Sequence, residues 1–119
     1  MRKLKEECGV TMISLDNLGL LSALHGCVKF ILHHAPAGST SEDKTLIAFK
    51  DGYKHTATGF ASGYFGEGPH GLLTAIQMYL KRNDITIEHI CDWRGGNYLI
   101  LARQGNGETF GFISGNEIW

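Results

Sequence analysis

Two residue types are scarce in this 119-residue chain, and each scarcity narrows what it can be. Proline occurs only twice, which, set beside abundant glycine, points to tight turns and close backbone approach. The three cysteines, Cys8, Cys27 and Cys91, are dispersed and show no C-x-x-C spacing. An odd, sparse set of this kind supports neither a disulfide framework nor a zinc ribbon and points to a reducing compartment. Excess charge of either sign is also missing. A formal net charge of −1 provides no general attraction to polyanions, which disfavours duplex DNA as a partner. No apolar run approaches the length needed to span a bilayer, and no apolar stretch of leader type follows the charged start "MRKLKEECGV". The expected setting is the cytoplasm, with no membrane partner.

Glycine, in contrast, is abundant, with sixteen residues. A chain of this length holds one core, so a single domain over 1–119 is expected. High glycine with little proline favours tight turns and close backbone approach, hence a β-rich fold. Asp16 reads as an N-cap for a short helix over Asn17–His25, with Gly26 closing it. "CVKFILHHA" (Cys27–Ala35) reads as a strand and Ala35–Lys44 as a loop. Two runs around Asp51-Gly52 form a hairpin signal, and a second hairpin is expected about Asn106-Gly107. Leu72, Leu73, Ile76, Tyr79 and Leu80 lie at helical spacing and predict an amphipathic helix over Pro69–Arg82. Lys81 and Arg82 suit its C-terminal end, with Asn83 as the left-handed cap. "ITIEHICDW" alternates and reads as a strand. The fold class predicted is α+β: a mainly antiparallel sheet built from hairpins, one main amphipathic helix and a short N-terminal helix. Both hairpin segments end in G-F-x-S-G, a pattern that chance agreement in a glycine-rich chain explains more readily than an internal repeat.

The segment with most chemical character is "GFASGYFGEGPHGLLTAI" (Gly59–Ile76). A glycine-rich loop leads into a helix opened by Pro69. Pro69 at the first helical position makes Gly68 the N-cap and leaves the amides of His70 and Gly71 free. Free amides at the positive end of a helix dipole suit a phosphate or carboxylate. Gly66 and Gly68 permit close approach, Tyr64 and Phe65 offer stacking surfaces, and His70 a further hydrogen bond. The loop lacks the G-K-[ST] of a Walker motif and the G-x-G-x-x-G order of a dinucleotide turn. A purely structural helix cap, with Glu67 supplying the negative charge, is the competing explanation. Trp93, Arg94 and Arg103, at strand ends and beside hairpins, are the basic and aromatic residues suited to complete a binding surface.

Catalytic and metal chemistry find less support. His33 and His34 are adjacent and face opposite sides of a strand. His89 and Cys91, with His55 or His34, match no zinc spacing. Ser39, Thr40 and Ser41 lie in a loop without a nucleophile elbow, and Cys91 reads as a core thiol. No cofactor, metal or catalytic residue is expected. The candidate site is therefore a ligand-binding one: Tyr64, Phe65, Gly66, Gly68, His70, Gly71, Trp93, Arg94 and Arg103.

The Gly59–Ile76 segment resembles a pattern of small phage and mobile-element proteins, a strand followed by G-Y-G-G-[ES]-G-P and a helix. Phe65 stands where that pattern has its first loop glycine. In size and composition the chain is also similar to phage anti-defence sponges that sequester nucleotide signals. The loop–helix junction, the flanking aromatics and the lack of a catalytic constellation make the expected function non-enzymatic binding of a small phosphate-bearing or nucleotide-like ligand. The resemblance implies a phage-borne protein, and a domain this small would enclose such a ligand most readily as a homo-oligomer. A protein–protein inhibitor, of anti-CRISPR or immunity type, acting through loops and strand edges is the alternative.

Overall fold

Asp51 and Gly52 do what their dipeptide predicts. Gly52 takes φ 95°, and Asp51 Oδ1 accepts the Tyr53 amide at 2.9 Å. The turn joins β2 (Lys44–Phe49) to β3 (Lys54–Ala57). The computed structural model describes residues 10–35, 43–62, 65–92, 98–103 and 110–111. Within them the order is α1 (Thr11–His25), β1 (Val28–Ala35), β2, β3, α2 (Glu67–Leu80), α3 (Ile87–Asp92), β4 (Tyr98–Arg103) and β5 (Phe110–Gly111). The sheet order is β3-β2-β1-β4-β5, with every neighbouring pair antiparallel. This is an α+β fold, as its sequence predicts.

The two hairpins flank β1, one on each side. Their G-F-x-S-G ends differ in setting: Gly111 lies within β5, whereas Gly59 lies beyond β3. The Asn106-Gly107 turn falls outside the described residues.

Register assigns the sheet faces. Ile31 pairs with Ile47 and Ala102, and Ile47 with His55, so these share one face. Ile31, Ile47, Phe49, Ala57 and Ala102 are all buried there. α2 lies over β1 and β4 on this face, with α1 and α3 against α2. Its Leu72, Ile76 and Leu80 are fully buried, as their spacing predicts, and Tyr79 is half-buried at the rim.

The two expected helices start earlier than predicted and a third replaces an expected strand, for separate reasons. α1 begins at Thr11, not near Asp16, and its N-cap is Val10 with no side-chain bond. Its early hydroxyls are used for a tertiary contact instead. Thr11 Oγ1 donates to the Gly59 carbonyl at 2.6 Å, and Ser14 Oγ accepts the Gly59 amide at 2.8 Å. A Cβ on Gly59 would lie 2.3 Å from the Val10 carbonyl oxygen, so only glycine permits this approach. Gly26 ends α1 at φ 92°, as expected.

α2 starts at Glu67 and ends at Leu80, with Gly66 as N-cap and Lys81 as the left-handed cap at φ 57°. Gly68, Pro69 and Asn83 do not hold the end positions expected of them. Ending early frees Arg82, whose Nη1 donates to the Arg103 carbonyl at 2.8 Å and whose Nε donates to Asp84 Oδ1 at 2.7 Å.

The expected strand at Ile85–Trp93 is overturned, since Ile87–Asp92 forms α3. The Thr86 amide donates to His89 Nδ1 at 3.1 Å, and the His89 amide to Thr86 Oγ1 at 3.4 Å. This reciprocal pair three residues apart has the logic of a capping box, with His89 in the place usually held by Glu or Gln.

Candidate functional site

A buried polar cluster includes Ser62, where the chain approaches the glycine loop. His33 and Thr45 are cross-strand partners, and His33 Nδ1 lies 2.7 Å from Thr45 Oγ1. On the other side of the ring, His33 Nε2 is 3.2 Å from Ser62 Oγ and 3.3 Å from Asp43 Oδ2. The Ser62 amide donates to the same Asp43 oxygen at 3.2 Å. His33, Thr45 and Ser62 are wholly buried and Asp43 nearly so. A consistent proton assignment has His33 Nε2–H facing the carboxylate and Nδ1 accepting from the Thr45 hydroxyl. Buried polar groups persist only when bonded, and this cluster bonds each of its members. It pins the chain entering the loop to β1 and to the start of β2.

Serine, histidine and aspartate meeting in this way invite comparison with a hydrolytic triad. In a triad the acid orients one ring nitrogen while the serine uses the other. Here Ser62 and Asp43 meet the same nitrogen, and Thr45 occupies the opposite one. The arrangement is that of an anchor. No single motif in the chain reveals it, because its members come from β1, the approach to β2 and the segment after β3. Ser62 escapes a search for nucleophiles confined to Ser39, Thr40, Ser41 and Cys91.

His34, on the opposite sheet face as adjacency requires, is buried too. Burial first, then the neighbouring His33, pushes its pKa below the ordinary imidazole value, against a smaller upward pull from Asp43. His89 and Cys91 lie on a helix, not on one strand face. Among the described residues no group of three or more His, Cys, Asp or Glu side chains is placed to hold a metal ion.

The loop residues themselves fall into three groups. Phe65 is 67% exposed at the mouth of α2. Gly66 is extended, with φ 172° and no side-chain cap bond. The exposed His70 ring donates from Nδ1 to the Gly66 carbonyl at 2.9 Å. Its amide, expected to be free, donates to the same carbonyl at 3.2 Å. The helix start at Glu67, two residues before Pro69, puts His70 inside the hydrogen-bonded part of the helix.

Gly71 has a packing function. A Cβ there would lie 2.3 Å from Thr11 Cγ2 and 3.3 Å from the Phe60 ring. Farther along, Gly19 of α1 meets the Tyr79 hydroxyl of α2. Thr11 with Gly71, then Gly19 with Tyr79, means that α1 and α2 run side by side in the same direction. Both helices therefore open at the same end of the pair, α1 starting against Gly71, about one turn along from the start of α2, and neither has a side-chain N-cap bond.

Arg103 is not part of this arrangement. Its carbonyl meets Arg82, just past the C-terminus of α2. Fourteen helical residues at about 1.5 Å each separate that end from Gly66 by about 21 Å. Tyr64, Trp93 and Arg94 lie outside the described residues. No protein-family model, curated protein or solved structure matches this chain. Among the described residues no helix is long and apolar enough to cross a membrane.

Proposed function

We propose that this protein is a non-enzymatic binder of a small phosphate-bearing, nucleotide-like ligand, held at the start of α2 beside Phe65, with the start of α1 about one turn along from it. The observation that supports the reading most directly is the common direction of the two helices. Parallel neighbours place two positive dipole ends together, an arrangement that an anion stabilises. Neither first turn satisfies its amides with a capping side chain. The exposed Phe65 ring is suited to stack on a base. The buried His33 cluster keeps the loop approach rigid, so little ordering cost attaches to binding.

Glu67 is the acidic group of the first α2 turn and is exposed. It competes for the same positive end, and a ligand displaces its influence. The resemblance to anti-defence sponges supplies the setting for this reading: sequestration of a signal, without turnover, in the cytoplasm of a phage-infected cell. The triad-like residues support binding over hydrolysis, because Ser62 is inaccessible and shares its histidine nitrogen with Asp43.

Calorimetry against mono-, di- and cyclic nucleotides tests the proposal. Binding should be followed by recovery of the nucleotide intact. Phe65→Ala should weaken the best ligand by about 1–3 kcal/mol if the ring stacks on a base. Glu67→Gln should tighten it by removing a like charge. An absence of heat with the whole panel rules the reading out, as does unchanged affinity when Gly66 is replaced by a bulky residue. Turnover abolished by Ser62→Ala would replace it with a hydrolase.

A further inference from the structure

The two faces of the sheet differ in charge. Register sets Arg103, Phe30, Ala48 and Lys54 in one row across β4, β1, β2 and β3. Leu101, Leu32, Leu46 and Thr56 form the next row, and His34 with Lys44 belongs to the third. All lie on the face opposite Ile31 and Ile47, because neighbours along a strand alternate. The buried side chains of the three helices gather with Ile31, Ile47 and Ala102. Among the described residues no helix packs on the second face.

Phe30, Leu32, Leu46 and Leu101 are half-buried and make its apolar centre, while Arg103, Lys54 and Lys44 stand exposed around them. Among the described residues no carboxylate shares this face. Asp43 and Asp51 turn to His33 and His25, and the other described acids lie on or between the helices. A chain of net charge −1 thus separates its charges, with cations alone on one side of the sheet.

We propose that this face binds single-stranded nucleic acid, with bases laid on Phe30 and the leucines and phosphates drawn to Arg103, Lys54 and Lys44. Charge complementarity sets the sign of the partner. Arg103 and Lys54 stand three strand spacings apart, about 14 Å, and Lys44 lies about 13 Å along β2 from Ala48. The cations therefore surround the apolar centre, as a backbone running past splayed bases requires. A sheet face is flat and lacks the groove that an acidic amphipathic helix fills. A duplex keeps its bases stacked inside and offers the leucines nothing apolar, whereas the unstacked bases of a single strand can lie on an aromatic ring. Arg103, remote from the start of α2, has its use here, and the inference stands independently of the ligand reading.

Fluorescence anisotropy on the full chain, with labelled oligouridine and oligothymidine of about twelve nucleotides, tests it. Affinity should fall as salt rises, and a duplex of equal length should bind about tenfold more weakly or worse. Phe30→Leu keeps the apolar bulk, deletes the ring and should weaken binding about fivefold or more. Lys54→Gln and Arg103→Gln should each reduce the slope of log affinity against log salt by about 0.7. Lys81→Gln, at the end of α2, should leave affinity and slope unchanged. Far-UV circular dichroism checks folding, and the two exposed cations carry the test should Phe30→Leu unfold. Ultraviolet cross-linking should place the oligonucleotide on the peptide that carries β1. Failure of both oligonucleotides to bind at low salt overturns the proposal, as does equal affinity for the duplex or a salt slope unmoved by both cation variants. Polyglutamate displacing the label as readily as unlabelled oligouridine also overturns it, in favour of a surface for acidic proteins.

Discussion

α1 and α2 are neighbours of almost equal length, fifteen and fourteen residues, and they treat solvent differently. α2 buries Leu72, Ile76 and Leu80 and turns Gln77, Met78 and His70 outward. α1 buries Leu18 and Leu21 and turns Met12, Ile13, Leu20 and Leu24 outward. The inner faces of the two helices do the same work, so the difference lies entirely outside. An amphipathic stripe identifies the side that packs. α1 lacks that division, so apolar side chains stand exposed on its outer side.

The largest expected effects test the equivalence of the inner faces. Leu18→Ala and Leu72→Ala remove side chains that are each fully buried. Each should cost about 2–5 kcal/mol in urea unfolding. If only the α2 variant does so, α1 is a peripheral addition to the fold. Next comes the seam between them. Gly71→Ala drives a methyl group towards Thr11 Cγ2 and should cost about 1–3 kcal/mol. Combining it with Thr11→Ser, which deletes the methyl it meets, should recover part of that loss, a coupling that a double-mutant cycle measures.

Smaller effects separate the outer faces. Gln77→Leu and Leu24→Gln each exchange the character of an exposed site, and both should leave monomer stability within about 0.5 kcal/mol. The smallest effect lies just past the end of α2. The Arg82 guanidinium, donating to Asp84, holds that carboxyl down to about 2, below its ordinary value. Because the folded-state pKa is the lower one, the stabilisation is complete above the ordinary carboxylate range and is lost as pH falls through about 2. Melting temperatures of Asp84→Asn and wild type should therefore differ slightly near neutral pH and converge near pH 2. A constant gap at both pH values would show that the pair contributes nothing through its charge.

Legibility in the sequence followed the range of the interactions. Asp51-Gly52 announced its turn because the Asp51 side chain bonds the Tyr53 amide two residues away. The core stripe of α2 was readable for the same local reason. The start of α1 is not legible locally, because Thr11 and Ser14 spend their hydroxyls on Gly59, far along the chain. Isoleucines at 85, 87 and 90 suggested a strand, and the Thr86–His89 exchange that makes a helix there is easily overlooked when the acceptor is a histidine. Glycine was legible as abundance without purpose: Gly59 and Gly71 serve the docking of α1, Gly66 the opening of α2. The His33 anchor needed the register of β1 against β2 before its members could be seen together.

The central place of β1 also sets the order in which the molecule can be completed. One neighbour of β1, β2, follows after a short connection, and β3 folds back upon β2. The other neighbour, β4, is synthesised only after α2 and α3. Until β4 arrives, the second edge of β1 offers unpaired amides and carbonyls along "VKFILHHA", an apolar strand of the kind that recruits other chains. A nascent or slowly folding chain is therefore most exposed to misassembly in this interval, and β4 acts as the closing strand that ends it.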